Sequence, residues 1–311
     1  MNGFQILFLA LLLDFIFGDP LQIWNRIPHP AVIMGRFVDW FDDRLNRGKM
    51  RREKGILSIT LLALLALGIG YLIKIIPDYG VIEMLVVTAL LAHNNLVKHV
   101  RAVATGLMES LASGQAEVAK IVGRETSNLD EAGVSTAAIE SAAENFSDAV
   151  VAPIFWYLIL GLPGIILYKV VNTADSMIGH KSETYAEFGF GSAKLDDLLN
   201  LIPARICGAL MCFVQTSKNT WDVWDLMLSD APLHASPNAG WPESAMAGIL
   251  DIRLAGPRIY DGELTDDAYI NPQGNKNPNS DDILESTKVI QRTWYAIAAT
   301  IGFFAVVTWL I

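Results

Sequence analysis

Three carboxylates recur at one helical spacing in the middle of the chain. Glu140, Glu144 and Asp148 stand at positions i, i+4 and i+8, and a helix projects side chains at this spacing from one face. Asn145 lies beside them. Like charges at this spacing repel by about 0.2 to 0.5 kcal/mol per pair on an exposed helix, and by more where water is excluded. This acidic face therefore predicts a positively charged partner.

The chemistry that suits such a face is the binding of Mg²⁺. This ion keeps most of its waters and takes one or two protein carboxylates together with substrate phosphate. The stripe runs directly into the apolar residues 149–152, which favours a ligand site over the alternative, a solvated acidic helix. Ser135 is the expected N-cap of this helix, and Arg124 is a candidate for binding phosphate.

A second polar cluster, residues 172–205, interrupts two apolar stretches. An ionisable group at membrane depth is a functional hypothesis by default. The alternative is that the acids face water at the interface and that the basic side chains snorkel. The candidates for amide, metal and phosphate contacts in this cluster are Asn172, Asp175, Lys181, Asp196 and Arg205.

A third polar cluster, residues 234–257, begins with a turn signal at Ser236, Pro237 and Asn238. The Asn238 amide and the Ser236 hydroxyl are candidate contacts for a ligand. The alternative is a surface turn with no ligand, because Ser-Pro-Asn is common in such turns.

Several familiar sites are missing from the sequence. It has no phosphate loop with the Gly-x-x-x-x-Gly-Lys-Ser/Thr pattern and no Gly-x-Ser-x-Gly nucleophile turn. The five histidines form no i, i+4 pair, which argues against a local zinc site. Cys207 and Cys212 lie in an apolar stretch and are expected to be buried thiols.

The composition predicts an all-α, polytopic membrane protein with short or re-entrant helices and a cytoplasmic polar segment. The chain is 52% hydrophobic, and no long strand-like alternation is present. The apolar stretches that approach or reach membrane length are 4–18, 56–77, 81–92, 149–171, 198–214 and 294–311.

The distribution of basic residues predicts the orientation. Lys and Arg are concentrated between residues 36 and 54, which places that loop in the cytoplasm. The net charge of −10 argues against nucleic acid as a partner. Stretch 149–171 is either one kinked span or two short helices turned at Gly161, and we favour the short helices because they place all three polar clusters on the cytosolic side, where they would form one site.

Three segments follow from this pattern. Residues 1–215 are predicted to form a membrane helical domain with an embedded acidic site, and residues 216–293 a cytoplasmic segment of loops and short helices. Residues 294–311 are predicted to form a C-terminal transmembrane helix. Within the polar segment, residues 264–285 are rich in Asp, Asn, Pro and Gly and are expected to be a mobile loop.

The order and content of the polar blocks resemble a known family. LDEAGVSTAAIESAAENFSDAVVAPIFW, NTADSMIGHKSETYAEFGFGSAKLDDLLNLIPAR and SPNAGWPESAMAGILDIRLAGPRIYDGE follow one another between apolar helices. Together with the opening LLLDFIFGDP and IPHPAVIMGR, they are similar to the adenosylcobinamide-phosphate synthases, the CbiB/CobD family of cobalamin biosynthesis. One departure is Thr136, where the family often has Arg.

The resemblance implies a multi-pass enzyme of the cell (inner) membrane whose active site faces the cytoplasm. Its reaction would be an amide-forming ligation of an aminoalcohol O-phosphate, of aminopropanol or ethanolamine, to the free propionate of adenosylcobyric acid. The corrinoid product would be adenosylcobinamide phosphate. ATP as co-substrate and Mg²⁺ are expected, with an acyl phosphate as the activated form.

The candidate residues fit this reaction in named roles. The expected metal ligands are Glu140, Glu144, Asp148, Asp175 and Asp196. Arg124, Lys181 and Arg205 would bind phosphate, and Asn145, Asn172, Ser236 and Asn238 would orient substrate oxygens. Glu144 would accept the proton of the amine.

The partners implied are the two substrates and the lipid bilayer, and the chain could work as a homodimer or with other membrane enzymes of cobalamin assembly. Two other hypotheses for the function compete with the enzyme hypothesis. One is a membrane transporter that uses the acidic face, and the other is a membrane sensor similar to the AmpE-type relatives of the family.

Overall fold

Helices dominate the structure, a computed structural model that describes residues 1–123, 125–180, 182–216, 218–257, 259–260, 263–264 and 266–311. Within these ranges the chain forms fourteen α-helices: α1 (Gly3–Phe17), α2 (Leu21–Trp24), α3 (Pro30–Leu45), α4 (Arg51–Lys74), α5 (Val81–Leu90), α6 (His93–Glu109), α7 (Leu111–Val118), α8 (Glu131–Phe146), α9 (Ala152–Leu160), α10 (Leu162–Ile178), α11 (Phe190–Val214), α12 (Thr220–Asp230), α13 (Gly240–Leu250) and α14 (Ser280–Leu310).

The remaining regular structure is short. A π-helical turn, Ser147–Val151, follows α8, and a 3-10 turn, Ala231–Leu233, follows α12. Two antiparallel pairs of two-residue strands complete the described part of the chain: β1 (Leu254–Ala255) with β4 (Tyr269–Ile270), and β2 (Ile259–Tyr260) with β3 (Glu263–Leu264).

Several of the helices have the length and hydropathy of membrane-spanning helices. Among the described residues, four helical segments are long and apolar enough to cross a bilayer: Arg51–Lys74, Val81–Glu109 (which comprises α5 and α6), Phe190–Val214 and Ser280–Leu310. Helix α1 is apolar but has 15 residues. The prediction of an all-α polytopic membrane protein is confirmed.

The chain divides into two compact units by packing. The first contains Met1–Ala92, Ala152–Asn200 and Thr300–Ile311, and the second contains His93–Val151 and Leu201–Ala299. The predicted segments 1–215, 216–293 and 294–311 divide the chain by its membrane or solvent environment, whereas the two units divide it by packing. These segments therefore stay a prediction.

Helix α10 is the central element of the first unit. It packs against α3, α4, α5 and α9, and its residues Leu162, Ile165 and Tyr168 are fully buried. Gly70 of α4 permits a close approach to α10, because a Cβ there would lie 2.5 Å from the Cα of Pro163.

The turn at Gly161 shows that stretch 149–171 forms two helices and not one continuous helix. Gly161 has φ 68°, a conformation that favours glycine, and it separates α9 from α10. A Cβ on Gly164 would lie 2.3 Å from the carbonyl oxygen of Trp156, so the two helices fold back closely on each other. Two short helices are therefore present, as we expected.

Pro153 explains the π-helical turn that precedes α9. Proline has no N–H to donate and its ring clashes with the preceding turn of an α-helix. The chain widens to the i→i+5 pattern over Ser147–Val151, and α9 begins at Ala152 with Pro153 in its first turn. Asp148 lies within this wider turn, so the regular i, i+4 spacing of the acidic face ends at Glu144.

Helix α8 is the central element of the second unit. It packs against α6, α7 and α13. Small side chains let the neighbouring helices approach closely, and the buried alanines are Ala137, Ala138, Ala142 and Ala143. The expectation that Ser135 caps this helix is wrong. Asp130 is the N-cap, its Oδ1 accepting the backbone N–H of Gly133 at 2.8 Å, and Ser135 is buried in the second turn.

The prediction of a mobile loop over residues 264–285 is wrong for the part from Tyr269 onward. The backbone N–H of Asn271 donates to Asp230 Oδ2 at 2.8 Å, and the Asn271 side chain donates to the carbonyl of Ile252 at 3.1 Å. Helix α14 already begins at Ser280. The polar composition suggested a segment exposed to solvent. Here the polar side chains instead form hydrogen bonds with backbone groups of a packed segment.

A pair of glycines on α4 tests the packing of the first unit. We expect Gly70→Ala to lower the melting temperature of the purified protein by about 3 to 10 °C, because the added methyl group meets the backbone of α10. Gly68→Ala is the control, since a Cβ at Gly68 meets nothing within 4 Å. Thermal melting followed by size-exclusion in detergent measures both, and equal stability of the two variants would contradict this packing.

Candidate functional site

A buried carboxylate lies at the centre of the polar cluster of the first unit. Asp196 of α11 is 8% exposed. Its Oδ1 accepts a hydrogen bond from Asn172 Nδ2 at 3.3 Å, and its Oδ2 accepts one from Asn200 Nδ2 at 2.9 Å. The hydroxyl of Tyr168 donates to Asn200 Oδ1 at 2.9 Å. This relay fixes the orientation of the carboxylate plane.

A second carboxylate shares this cluster. Asp175 of α10 is close enough to Asp196 for the two charges to repel each other. Its side chain occupies the space in front of Gly179, where a Cβ would lie 1.9 Å from Asp175 Oδ1. Asp175 stands three residues after Asn172 on the same face of α10, and Asn172 donates to Asp196, so both carboxylates belong to one cluster.

Helical spacing explains how the cluster assembles. Tyr168, Asn172 and Asp175 stand at i, i+4 and i+7 on α10, and Asp196 and Asn200 stand at i and i+4 on α11. The structure thus brings together Asn172, Asp175 and Asp196 from the predicted set. Asn200 and Tyr168 were missed, although the spacing of Asn200 from Asp196 was a signal for the former.

The donor set of this cluster fits Mg²⁺ in part. Among the described residues, no group of three or more His, Cys, Asp or Glu side chains is placed to hold a metal ion. Two carboxylates with neighbouring amides are nevertheless what Mg²⁺ takes from a protein when phosphate oxygens and water complete its shell. The cluster suits an ion that arrives with a phosphorylated substrate.

The acidic face of α8 is divided by burial in the second unit. Glu140 is 5% exposed, Asp148 is half-buried and Glu144 is exposed. The Glu140 Oε1 accepts the backbone N–H of Ala255 at 2.7 Å. Asn145 donates to the carbonyl and hydroxyl oxygens of Ser141, at 2.9 and 3.0 Å, so its amide is bound within its own helix.

The residue that Glu140 holds has an unusual backbone. Ala255 has φ 55° and Gly256 has φ 91°. The left-handed conformation costs an L-residue about 1 to 2 kcal/mol, and a hydrogen bond to a charged group contributes about 1.5 to 3 kcal/mol. The hydrogen bond from Ala255 to the Glu140 carboxylate therefore contributes enough free energy to offset the backbone strain at Ala255.

The third cluster forms a turn in the second unit. The Ser236 hydroxyl oxygen accepts the backbone N–H groups of Asn238 and Ala239, at 3.3 and 3.1 Å. The N–H of Ser236 donates to His234 Nδ1 at 3.0 Å, and His234 Nε2 lies 3.5 Å from a carboxylate oxygen of the buried Glu243. Asn238 is buried in this turn, and the supporting pair His234 and Glu243 was not predicted from the sequence.

The predicted basic residues have different outcomes. Arg124 and Lys181 lie outside the described residues. Arg205 donates from Nη1 to the carbonyl of Leu201 at 2.6 Å, and its guanidinium carbon lies 4.5 Å from the centroid of the Trp241 ring. Its position is thus fixed by its own helix and by an aromatic ring.

The comparisons with known proteins cover nearly the whole chain. The family model described as "CobD/Cbib protein" matches residues 7–290. The chain belongs to this family of cobalamin biosynthesis. No solved structure matches it.

Curated relatives agree with this assignment to the CobD/Cbib family. The chain is 47% identical over 294 residues to "Cobalamin biosynthesis protein CobD" of Sinorhizobium sp, covering 89% of this chain and 90% of that protein. It is 45% identical to the protein of the same name from Brucella anthropi, over 89% of each chain, and 38% identical to that of Rhodobacter capsulatus, over 98% of each.

The three polar clusters of this CobD/Cbib chain fall in both compact units. Asn172, Asp175 and Asp196 belong to the first unit, whereas the acidic face of α8 and the turn at Asn238 belong to the second. The expectation that all of them share one site stays a prediction, as do the catalytic, metal and substrate roles of the individual residues.

Two residues on α11 test the relay around Asp196. We expect Asn200→Ala to lower the melting temperature by about 3 to 10 °C, because both the Asp196 carboxylate and the Tyr168 hydroxyl lose a partner in a buried place. Lys194→Ala on the same helix removes an exposed ion pair with Asp197 and should change it by less than about 2 °C. Similar effects of the two substitutions would show that the relay does not stabilise the unit.

Proposed function

We propose that this CobD/Cbib family member is the amide-forming enzyme of cobalamin biosynthesis that makes adenosylcobinamide phosphate. It would join the amine of aminopropanol O-phosphate or ethanolamine O-phosphate to the free propionate of adenosylcobyric acid. The observation that carries the proposal is the pair of carboxylates formed by the half-buried Asp175 and the buried Asp196, inside the region that matches the family. The same match supports an enzyme over a transporter or an AmpE-type sensor.

Asp175 and Asp196 are the proposed holders of Mg²⁺, with Asn172 beside them. The ion would supply positive charge that screens the phosphates of ATP, the proposed co-substrate. The amide donors of Asn172 and Asn200 keep Asp196 in one orientation, so the carboxylate would need no rearrangement when the ion binds. Glu144 and Asp148 belong to the second unit, and their predicted role as metal ligands stays a prediction.

Amide formation needs activation of the substrate carboxylate, because a carboxylate and an ammonium ion do not condense in neutral water. In the proposed reaction a carboxylate oxygen attacks the γ-phosphorus of ATP, and ADP leaves. The amine then attacks the acyl carbon of the resulting acyl phosphate, and the C–O bond to phosphate breaks. The exposed carboxylate of Glu144 is the proposed acceptor of the amine proton.

Substrate binding is assigned to the remaining polar residues. Arg205, which is fixed against Trp241, is the proposed phosphate contact, together with Arg124 and Lys181. The proposed contacts to substrate oxygens are Asn145, Asn172, Ser236 and Asn238. We place the enzyme in the cell (inner) membrane with these groups on the cytoplasmic side, as a homodimer or together with other membrane enzymes of cobalamin assembly.

A reconstituted reaction tests this function. Purified protein in detergent is incubated with adenosylcobyric acid, aminopropanol O-phosphate, ATP and Mg²⁺. The corrinoids are then separated and identified by mass spectrometry. We expect the condensed product in the complete mixture, and none when either ATP or Mg²⁺ is omitted. Ethanolamine O-phosphate in a parallel reaction identifies the preferred aminoalcohol, and no product with either amine would contradict the proposal.

Neighbouring carboxylates on α11 give a matched test of the proposed metal ligands. We expect Asp196→Asn and Asp175→Asn to lower kcat by about a hundredfold or more, since each removes a charge from the proposed magnesium site. Asp197→Asn should retain kcat within about threefold, because Asp197 pairs with Lys194 at the surface. Loss of activity in Asp197→Asn equal to that in Asp196→Asn would remove the distinction on which the assignment rests.

A further inference from the structure

Glu140 is bound to the backbone of another segment of its own unit. Its Oε1 is 2.7 Å from the amide nitrogen of Ala255, and the side chain is 5% exposed. A carboxylate that accepts a backbone N–H in a buried place is a strong acceptor and gives that N–H a fixed direction. This hydrogen bond connects Ala255, which is 115 positions away in the sequence, to α8.

The segment that Glu140 holds is strained and closely packed. Ala255 and Gly256 both have positive φ. A Cβ on Gly256 would lie 2.1 Å from the ring of Tyr269, which pairs with Ala255 across β1 and β4. The guanidinium carbon of Arg253 lies 4.2 Å from the centroid of the same ring. Turn 254–256 therefore has one tightly defined shape, and Glu140 contacts its most strained residue.

A second contact lies just before this turn, at Asp251. Asp251 has φ 56°, and its carboxylate pairs with Lys218 at 2.9 Å. The hydrogen bond from Lys218 lowers the pKa of Asp251. This pair is largely exposed and contributes little, so it serves as a matched comparison for the buried contact at Ala255.

We propose that Glu140 is a positioning residue that fixes turn 254–256, and that this contact, not metal binding, is its role. The proposal deepens the proposed function, because it removes Glu140 from the expected magnesium ligands and makes the turn part of the structure that activity requires. Backbone strain held in place by a buried acceptor is the arrangement found where a turn must keep one shape.

Hydrogen exchange measures the contact without reference to activity. In the full chain in detergent, we expect Glu140→Ala to speed exchange in the peptide that contains Ala255 by about ten- to a hundredfold. Glu140→Gln keeps an oxygen that accepts the N–H, so exchange should stay within about fivefold of the parent. Lys218→Ala, which removes only the exposed pair, should leave this peptide within about twofold.

Substitutions within the turn separate positioning from metal binding. Ala255→Gly accepts the positive φ without strain, so it should restore at least about a third of the kcat that Glu140→Ala loses. Gly256→Ala keeps the carboxylate but forces the turn against Tyr269, and it should reproduce the loss caused by Glu140→Ala. Glu140→Gln should recover most of the activity, whereas at a metal ligand the loss of the negative charge should lower activity in the Gln variant nearly as much as in the Ala variant.

The outcomes distinguish this inference from the proposed function. Unchanged exchange near Ala255 in Glu140→Ala, or equal loss of activity in the Ala and Gln variants with no rescue by Ala255→Gly, would overturn the positioning role. If the parent protein makes no condensed corrinoid, the proposed function fails, and the exchange result still decides the role of Glu140.

Discussion

Carboxylates removed from water in an apolar helical protein need hydrogen-bond donors, and this constraint organises the polar parts of each unit. A buried charge without a partner costs several kcal/mol. Asp196 receives two amide donors, Glu140 receives the N–H of Ala255, and Glu83 receives the Tyr157 hydroxyl at 2.8 Å. In the first two cases the donor also sets the direction of the carboxylate.

Each unit supports its polar residues from one central helix. Helix α10 contributes Tyr168, Asn172 and Asp175 from one face, and its other faces pack against four helices of the first unit. Helix α8 contributes Glu140 from a surface lined by alanines in the second unit. Rigid packing around both helices matters because a preorganised site depends on side chains that do not move when a ligand binds.

The sequence was sufficient for the helical class and the cluster around Asp175, because these depend on hydropathy and on helical spacing. Four of the six predicted apolar stretches overlap helices long enough to cross a bilayer, whereas stretch 4–18 forms the 15-residue α1 and stretch 149–171 forms two shorter helices. The turn at Gly161 was also foreseen from Gly and Pro. What could not be predicted depended on contacts distant in sequence. The bond from Glu140 to Ala255, the relay through Asn200 to Tyr168 and the burial of Asn271 join residues whose local patterns do not indicate each other.

Local rules failed where two of them competed. Both Asp130 and Ser135 are good N-caps, and α8 begins after the earlier of the two, which leaves Ser135 buried in its second turn. The i, i+4, i+8 spacing of the acidic face suggested three equivalent carboxylates. Pro153 widens the helix before its third member, and burial separates the first from the second. Equal spacing in the sequence thus produced three different environments.

Binding of Mn²⁺ tests the proposal that Asp175 and Asp196 form a metal site. Mn²⁺ takes the same oxygen ligands as Mg²⁺ and is detected by electron paramagnetic resonance, so a titration in the presence of ATP measures binding directly. We expect one tight site per chain, with Asp196→Asn weakening Mn²⁺ binding by about tenfold or more and Asp197→Asn leaving it unchanged. Equal binding of Mn²⁺ by the parent and by Asp196→Asn would contradict it.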